Sequence, residues 1–168
     1  MRVVRWTEDL ADNPMPTQSF VKAKRIGRYF EAQVRDVLRE VGKKKGIEVI
    51  GSENLKYRDK RGWDCEVRIR GQACKMEIKL DLLSETTGNV CLELAAINQS
   101  ISPIWIYGLP RGGYIDLYTM YLSDLATYVA SWPIKRPVGE FQLYAALIPK
   151  HIFISQPFVK KFKTINVN

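Results

Sequence analysis

Residues 62–80 read GWDCEVRIRGQACKMEIKL, from Gly62 to Leu80. Cys65, Val67 and Ile69 alternate with Glu66, Arg68 and Arg70, then Gly71-Gln72 supplies a turn. Alternation resumes with Met76, Ile78 and Leu80 against Lys75, Glu77 and Lys79. A period of two on either side of a glycine turn predicts a β-hairpin, with strands over 65–70 and 74–80.

The elements around this hairpin set the fold class. Ile26, Phe30, Val34, Val37, Leu38 and Val41 recur at spacings of three and four, which predicts a helix over 17–41 ended by Gly42. Pro14 and Pro16 make residues 1–16 an irregular arm. Strands are expected at 47–50, 90–94, 103–107 and 114–122, the last two parted by Gly108, Gly112 and Gly113. Ser123 is expected to cap a short helix ending near Trp132-Pro133. The tail from Ile134 carries little pattern beyond a strand candidate at 141–147. Helix, several strands, helix argues for an α/β (α+β) chain with a central mixed β-sheet flanked by helices.

The 168 residues, 46% hydrophobic and 26% charged, suit one domain with its own core. No run approaches the roughly 20 apolar residues of a membrane span, and residues 1–13 lack the apolar core of a secretory signal. Three cysteines, Cys65, Cys74 and Cys91, match no zinc spacing. They read as small packed residues in a reducing compartment, most simply the cytoplasm. His151 stands alone beside Lys150 and reads as surface.

The formal net charge is +8 and the pI about 9.4. Basic residues cluster at Lys22, Lys24, Arg25 and Arg28, at Lys43, Lys44 and Lys45, at Lys56, Arg58, Lys60 and Arg61, and at Lys160, Lys161 and Lys163. Such clusters are either solvated surface or a footprint for a polyanion such as nucleic acid. Tyr114, Tyr118, Tyr121, Tyr128, Trp105 and Trp132 have strand and helix periodicity, which favours core and interface packing over a base-stacking platform.

The hairpin also carries chemistry. Glu77 and Lys79 lie two apart on one strand and leave the same face, and Asp64 opens the neighbouring strand. Two carboxylates brought together repel unless a cation intervenes. Magnesium typically takes one or two protein carboxylates with waters and phosphate, and an adjacent lysine can hold or activate an attacking water. Those parts suit phosphodiester hydrolysis. The plainer reading is a solvent-facing Glu-x-Lys charge pair.

These residues resemble the PD-(D/E)XK nuclease superfamily. Gly62-Trp63-Asp64 followed by Met76-Glu77-Ile78-Lys79 fits its signature, with Trp63 standing where the non-ligand proline usually does. Glu31 in Gly27-Arg28-Tyr29-Phe30-Glu31 occupies the helical glutamate's place. Asp81, then Thr87-Gly88-Asn89-Val90, then Glu93, with Trp105-Ile106-Tyr107 after them, resembles phage-type members, and a phage origin goes with that likeness. It covers roughly residues 20–130. The resemblance implies a restriction-endonuclease-like core, with Asp64, Glu77 and the Ile78 backbone carbonyl binding Mg2+, or Mn2+ as a substitute. It further implies Lys79 orienting the water, Glu31 completing the site, and Glu93 either touching the metal or supporting it through a neighbour.

The activity so implied is a metal-dependent DNA endonuclease. It resembles the Holliday-junction resolvases of DNA recombination, which cut branched DNA as homodimers. It also resembles site-specific homing and restriction endonucleases acting on duplex DNA. No appended base-reading module is recognisable, which leans toward the resolvase. The alternative of another class is a non-catalytic nucleic-acid-binding protein on the same fold. A homodimer or higher even-numbered assembly is expected, with its interface within 101–128.

Overall fold

The structure is a computed structural model describing residues 20–52, 63–138 and 142–167. The irregular arm expected over 1–16 lies outside the described residues. In chain order the elements are α1 (Phe20–Lys45), β1 (Ile47–Ser52), β2 (Cys65–Ile69), β3 (Gln72–Leu80), α2 (Ser84–Thr87), β4 (Asn89–Glu93), α3 (Leu94–Gln99), β5 (Ile104–Arg111), β6 (Tyr114–Tyr121), α4 (Leu122–Ser131), β7 (Lys135–Val138), β8 (Leu143–Pro149), α5 (Lys150–Ile154) and β9 (Lys160–Asn166).

The hairpin forms as β2 and β3, antiparallel, with Ile69 opposite Gln72. The turn is therefore Arg70-Gly71, one residue earlier than the expected Gly71-Gln72. Both residues have positive φ, 50° and 84°, as a two-residue turn matching the strand twist requires.

A six-stranded sheet runs in the order β1-β2-β3-β5-β6-β9. β3 and β5 are parallel, while β1–β2, β2–β3, β5–β6 and β6–β9 are antiparallel. The central sheet is thus mixed, and the fold is α+β. The parallel pair needs a crossover, which α2, β4 and α3 provide.

One face of this sheet is covered by α1. Its stripe of Ile26, Phe30, Val34 and Leu38 packs on Cys65, Val67, Ile78, Ile106 and Leu117. The helix runs past the expected stop at Gly42 to Lys45, and Gly46 takes the left-handed φ of +69°. Gly42 serves packing instead, because a Cβ there would strike the Ile47 carbonyl where β1 folds back. Lys43, Lys44 and Lys45 in the last turn complement the helix dipole.

The other face is covered by a second, three-stranded sheet, β4-β8-β7, together with α4 and α5. Trp105, Tyr107 and Leu109 of β5 pack there on Leu92, Leu125, Ile148 and Phe153. The sequence did not signal this second sheet. The expected strand at 141–147 is β8, and Phe141 lies outside the described residues. Leu94, expected to close a strand, begins α3.

β5 continues to Arg111 instead of stopping at Tyr107. Gly108 lies within it because the Phe30 ring occupies the space a Cβ would need. Pro110 is tolerated because the pairing with β3 ends at Leu80 opposite Gly108, so no partner there lacks a donor. α4 begins at Leu122, whose N–H donates to the Pro103 carbonyl at 2.9 Å. Tyr121 is its N-cap without a side-chain bond, and Ser123 sits inside the first turn rather than capping it. Among the described residues no helix is long and apolar enough to cross a membrane.

Candidate active site

The ladder between β2 and β3 ends with Cys65 opposite Met76. From Glu77 to Leu80, β3 is paired with β5 on one side, and its other edge faces Asp64. The Asp64 N–H donates to the Met76 carbonyl at 3.0 Å, so Asp64 and Cys65 both oppose Met76, as in a bulge. This kink sends the Asp64 carboxylate along β3, where its Oδ2 accepts the Ile78 N–H at 2.8 Å. The Ile78 carbonyl leaves the strand on that same edge.

Glu77 and Lys79 project from the face opposite Ile78, above their β5 partners Trp105 and Tyr107. Lys79 Nζ lies 2.6 Å from Glu77 Oε1 and 5.9 Å from the centre of the Trp105 ring. The Glu77 side chain is 13% exposed and that of Lys79 39%. Burial raises the pKa of Glu77; the Lys79 ammonium opposes that rise and the Asp64 carboxylate adds to it. For Lys79, burial works against the charge, but Glu77, Asp64 and Glu93 outweigh it and raise the pKa. The lysine is therefore held as an ammonium among three carboxylates.

Helix α1 brings Glu31 to the same place. Glu31, Ile78, Lys79 and Glu93 line one cavity of about 360 Å³, whose wall does not include Asp64 or Glu77. Arg35 links helix and hairpin: its Nη1 donates to the Asp64 carbonyl at 3.3 Å and lies 4.0 Å from Glu31 Oε2. Sequence reasoning missed Arg35. Its place four residues after Glu31 is the available signal, since such pairs face each other on a helix. Glu93 is exposed at the N-cap of α3 and makes no capping bond.

The oxygens here that could hold a metal are those of the Asp64 and Glu77 carboxylates and the Ile78 carbonyl. Among the described residues no three His, Cys, Asp or Glu side chains form a ready metal cage. Two carboxylates and a carbonyl nevertheless fit a hard divalent cation that keeps its waters.

Asp81 is taken up by the fold. Its carboxylate accepts the Ser84 N–H at 3.1 Å and the Cys91 N–H at 2.7 Å, clasping the chain between β3 and β4. Arg25 and Arg28 are exposed near the start of α1, Arg25 lying 5.8 Å from the Tyr29 ring. Lys43, Lys44 and Lys45 are exposed at the far end of the same helix, roughly 25 Å away at 1.5 Å per residue. Among the described residues these two groups of α1 are thus apart, and Lys163 of β9 lies near the second, 3.9 Å from Glu40. The side chains of Lys22 and Lys24, and all of Lys56, Arg58, Lys60 and Arg61, lie outside the described residues.

Trp105 and Tyr118 are buried in the core, and Tyr128 packs on Trp132 and Phe158 at ring distances of 5.8 and 5.4 Å, these three lying against the core. Tyr114 and Tyr121 are exposed, as is His151. Burial pushes the Cys91 thiol up to about 11, which keeps it protonated and unreactive.

No protein-family model, curated protein or solved structure matches this chain.

Proposed function

We propose that the protein is a metal-dependent DNA endonuclease that hydrolyses phosphodiester bonds at the Asp64, Glu77 and Lys79 cluster. The observation that carries this reading is the 2.6 Å Lys79–Glu77 pair on one face of β3, beside an Asp64 carboxylate anchored at the Ile78 amide. A solvent-facing charge pair needs no second carboxylate beside it, whereas a site for a divalent cation and a phosphate does.

In this reading Lys79 donates from its ammonium to the attacking water and to a phosphate oxygen. Glu77 fixes the direction of that ammonium through their short contact. Asp64 is kept at the strand edge by the Ile78 amide, and Arg35 fixes the backbone of Asp64 from α1. A bound Mg2+, or Mn2+ in its place, supplies Lewis acidity toward the phosphate. The PD-(D/E)XK likeness, with its restriction-endonuclease-like core, supports the same reading, as do the net charge of +8 and the exposed arginines of α1.

We favour branched DNA, as for a Holliday-junction resolvase, over a defined duplex site, with the enzyme working inside the cell as a homodimer. Incubation with magnesium and either a four-way junction or a linear duplex of matching sequence tests this. Cutting of the junction alone is the expected result. Cutting of the duplex at one sequence would favour a homing or restriction enzyme, and binding without cutting would favour a non-catalytic DNA-binding protein.

A further inference from the structure

Gly27 lies inside α1, seven residues from its start. Glycine is the poorest helix former after proline, so an interior glycine needs a reason in its surroundings. Gly42 has one in the Ile47 carbonyl, and Gly108 has one in the Phe30 ring. Gly27 has none in the described protein: a Cβ there would meet nothing within 4 Å. The space it leaves open is the cavity beside Lys79, of which Gly27 forms part of the wall.

We propose that this cavity seats one unpaired nucleotide of the DNA strand, and that Gly27 is bare so that the nucleotide can lie against the α1 backbone. The proposal rests on the nuclease reading of the same site and names its substrate class. Its volume of about 360 Å³ falls in the range of small-ligand sites, about 300–1,000 Å³. The walls are largely apolar, with Ile26, Leu92, Trp105 and Tyr107 among them, while one ammonium, Lys79, and three carboxylates, Glu31, Asp81 and Glu93, supply charge.

That distribution matches a nucleotide. Its base has apolar faces, its edge carries amino hydrogens that a carboxylate accepts, and its phosphate meets an ammonium. A base within continuous duplex is stacked and paired and must be extruded before it can enter. A base in a flap or single strand enters without that cost, and one at the exchange point of a junction, where stacking is interrupted, enters at a lower cost than one in continuous duplex. The cavity therefore selects strands with an unpaired nucleotide beside the cut.

The test uses the full chain and single-stranded oligonucleotides carrying 2-aminopurine at each position in turn, with calcium replacing magnesium so that the strand survives. In the wild type the fluorescence should change on binding at one or two positions. Gly27→Leu should remove that change and weaken binding about tenfold or more, with Gly27→Ala intermediate. Gly27→Ala should also melt a few degrees higher than the wild type, because alanine is the better helix former. If Gly27→Leu melts lower than the wild type, the Gly27→Ala measurement decides.

Equal fluorescence and affinity in the wild type and the substituted chains would overturn the cavity proposal. Cleavage by the wild type under magnesium would then still stand for the nuclease. Conversely, a fluorescence change that depends on Gly27, without cleavage of any substrate under magnesium or manganese, would retain the nucleotide seat and remove the nuclease reading.

Discussion

The Asp64 carboxylate accepts the backbone N–H of Ile78 at 2.8 Å. This bond joins the residue that leads into β2 to the edge of β3 that β2 has ceased to cover. It satisfies an amide that the sheet ladder leaves over, and it places a carboxylate next to the Glu77–Lys79 pair. One contact thus closes the sheet locally and assembles the candidate site.

Alanine at Asp64, Glu77 or Lys79 should each lower cleavage by about 100-fold or more, while DNA affinity stays within a few fold. In the proposed function the three residues act at the reacting phosphate, whereas affinity would come from exposed cations. Single-turnover cleavage together with anisotropy titrations would measure both. A variant that cuts at the wild-type rate would release that residue from its role.

Cleavage should require magnesium or manganese and stop in EDTA. Calcium should support binding without cutting, since its larger radius and looser geometry fill the oxygen site without the tight octahedral arrangement. Undiminished cutting in EDTA would rule out a metal-dependent reaction.

Acid stability should depend on Asp116. Burial pushes its carboxyl up, but hydrogen bonds from Arg111, Lys161 and Thr164 outweigh that and hold its pKa at about 2, against an ordinary 3.8. A lowered folded-state pKa stabilises the fold above the ordinary value, and that stabilisation is lost as pH falls through about 2. Asp116→Asn should therefore melt below the wild type at neutral pH, with the gap shrinking as the pH falls from 3.8 toward 2. Calorimetry across that window would show it; a gap independent of pH would contradict the assignment.

Gly108→Ala should destabilise the fold by about 1–3 kcal/mol through overpacking, because the new methyl group would meet the Phe30 ring. In a Phe30→Leu background the added cost should be smaller, since the obstructing ring is gone. Urea unfolding of the four chains gives the coupling. Simple additivity would mean that the two residues do not collide.

A homodimer should be seen by sedimentation at micromolar protein, since two matched cuts need two sites. Most apolar side chains of residues 101–128 are spent on the core, Trp105, Leu117 and Leu125 among them, which leaves Ile101, Tyr114 and Tyr121 exposed. Tyr121, 61% exposed, is the residue to change: Tyr121→Glu should give monomers. A monomeric wild type with and without DNA would describe a nicking enzyme instead.

What the sequence alone determined is what local periodicity encodes. The hairpin, helix α1 and its buried stripe, and the same-face placement of Glu77 and Lys79 all follow from periods of two and 3.6 within one segment. The mixed α+β class follows from the order of such segments.

Tertiary contacts decided the rest. β5 runs through Gly108 because Phe30, far away in sequence, fills the space above it. α1 passes Gly42 because that glycine answers to Ile47 rather than ending a helix. β9 owes its strand form to the distant β6, and β7, paired only with its neighbour β8, follows the place that the distant β4 gives β8; short segments of weak pattern do not announce such partners. The site divides in the same way. The types of Asp64, Glu77 and Lys79 are legible in order, but the anchoring of Asp64 at Ile78, the bridge through Arg35 and the cavity beside Gly27 exist only where helix and sheet meet. A chain can state which groups it carries within one element; which groups of different elements touch is settled by packing.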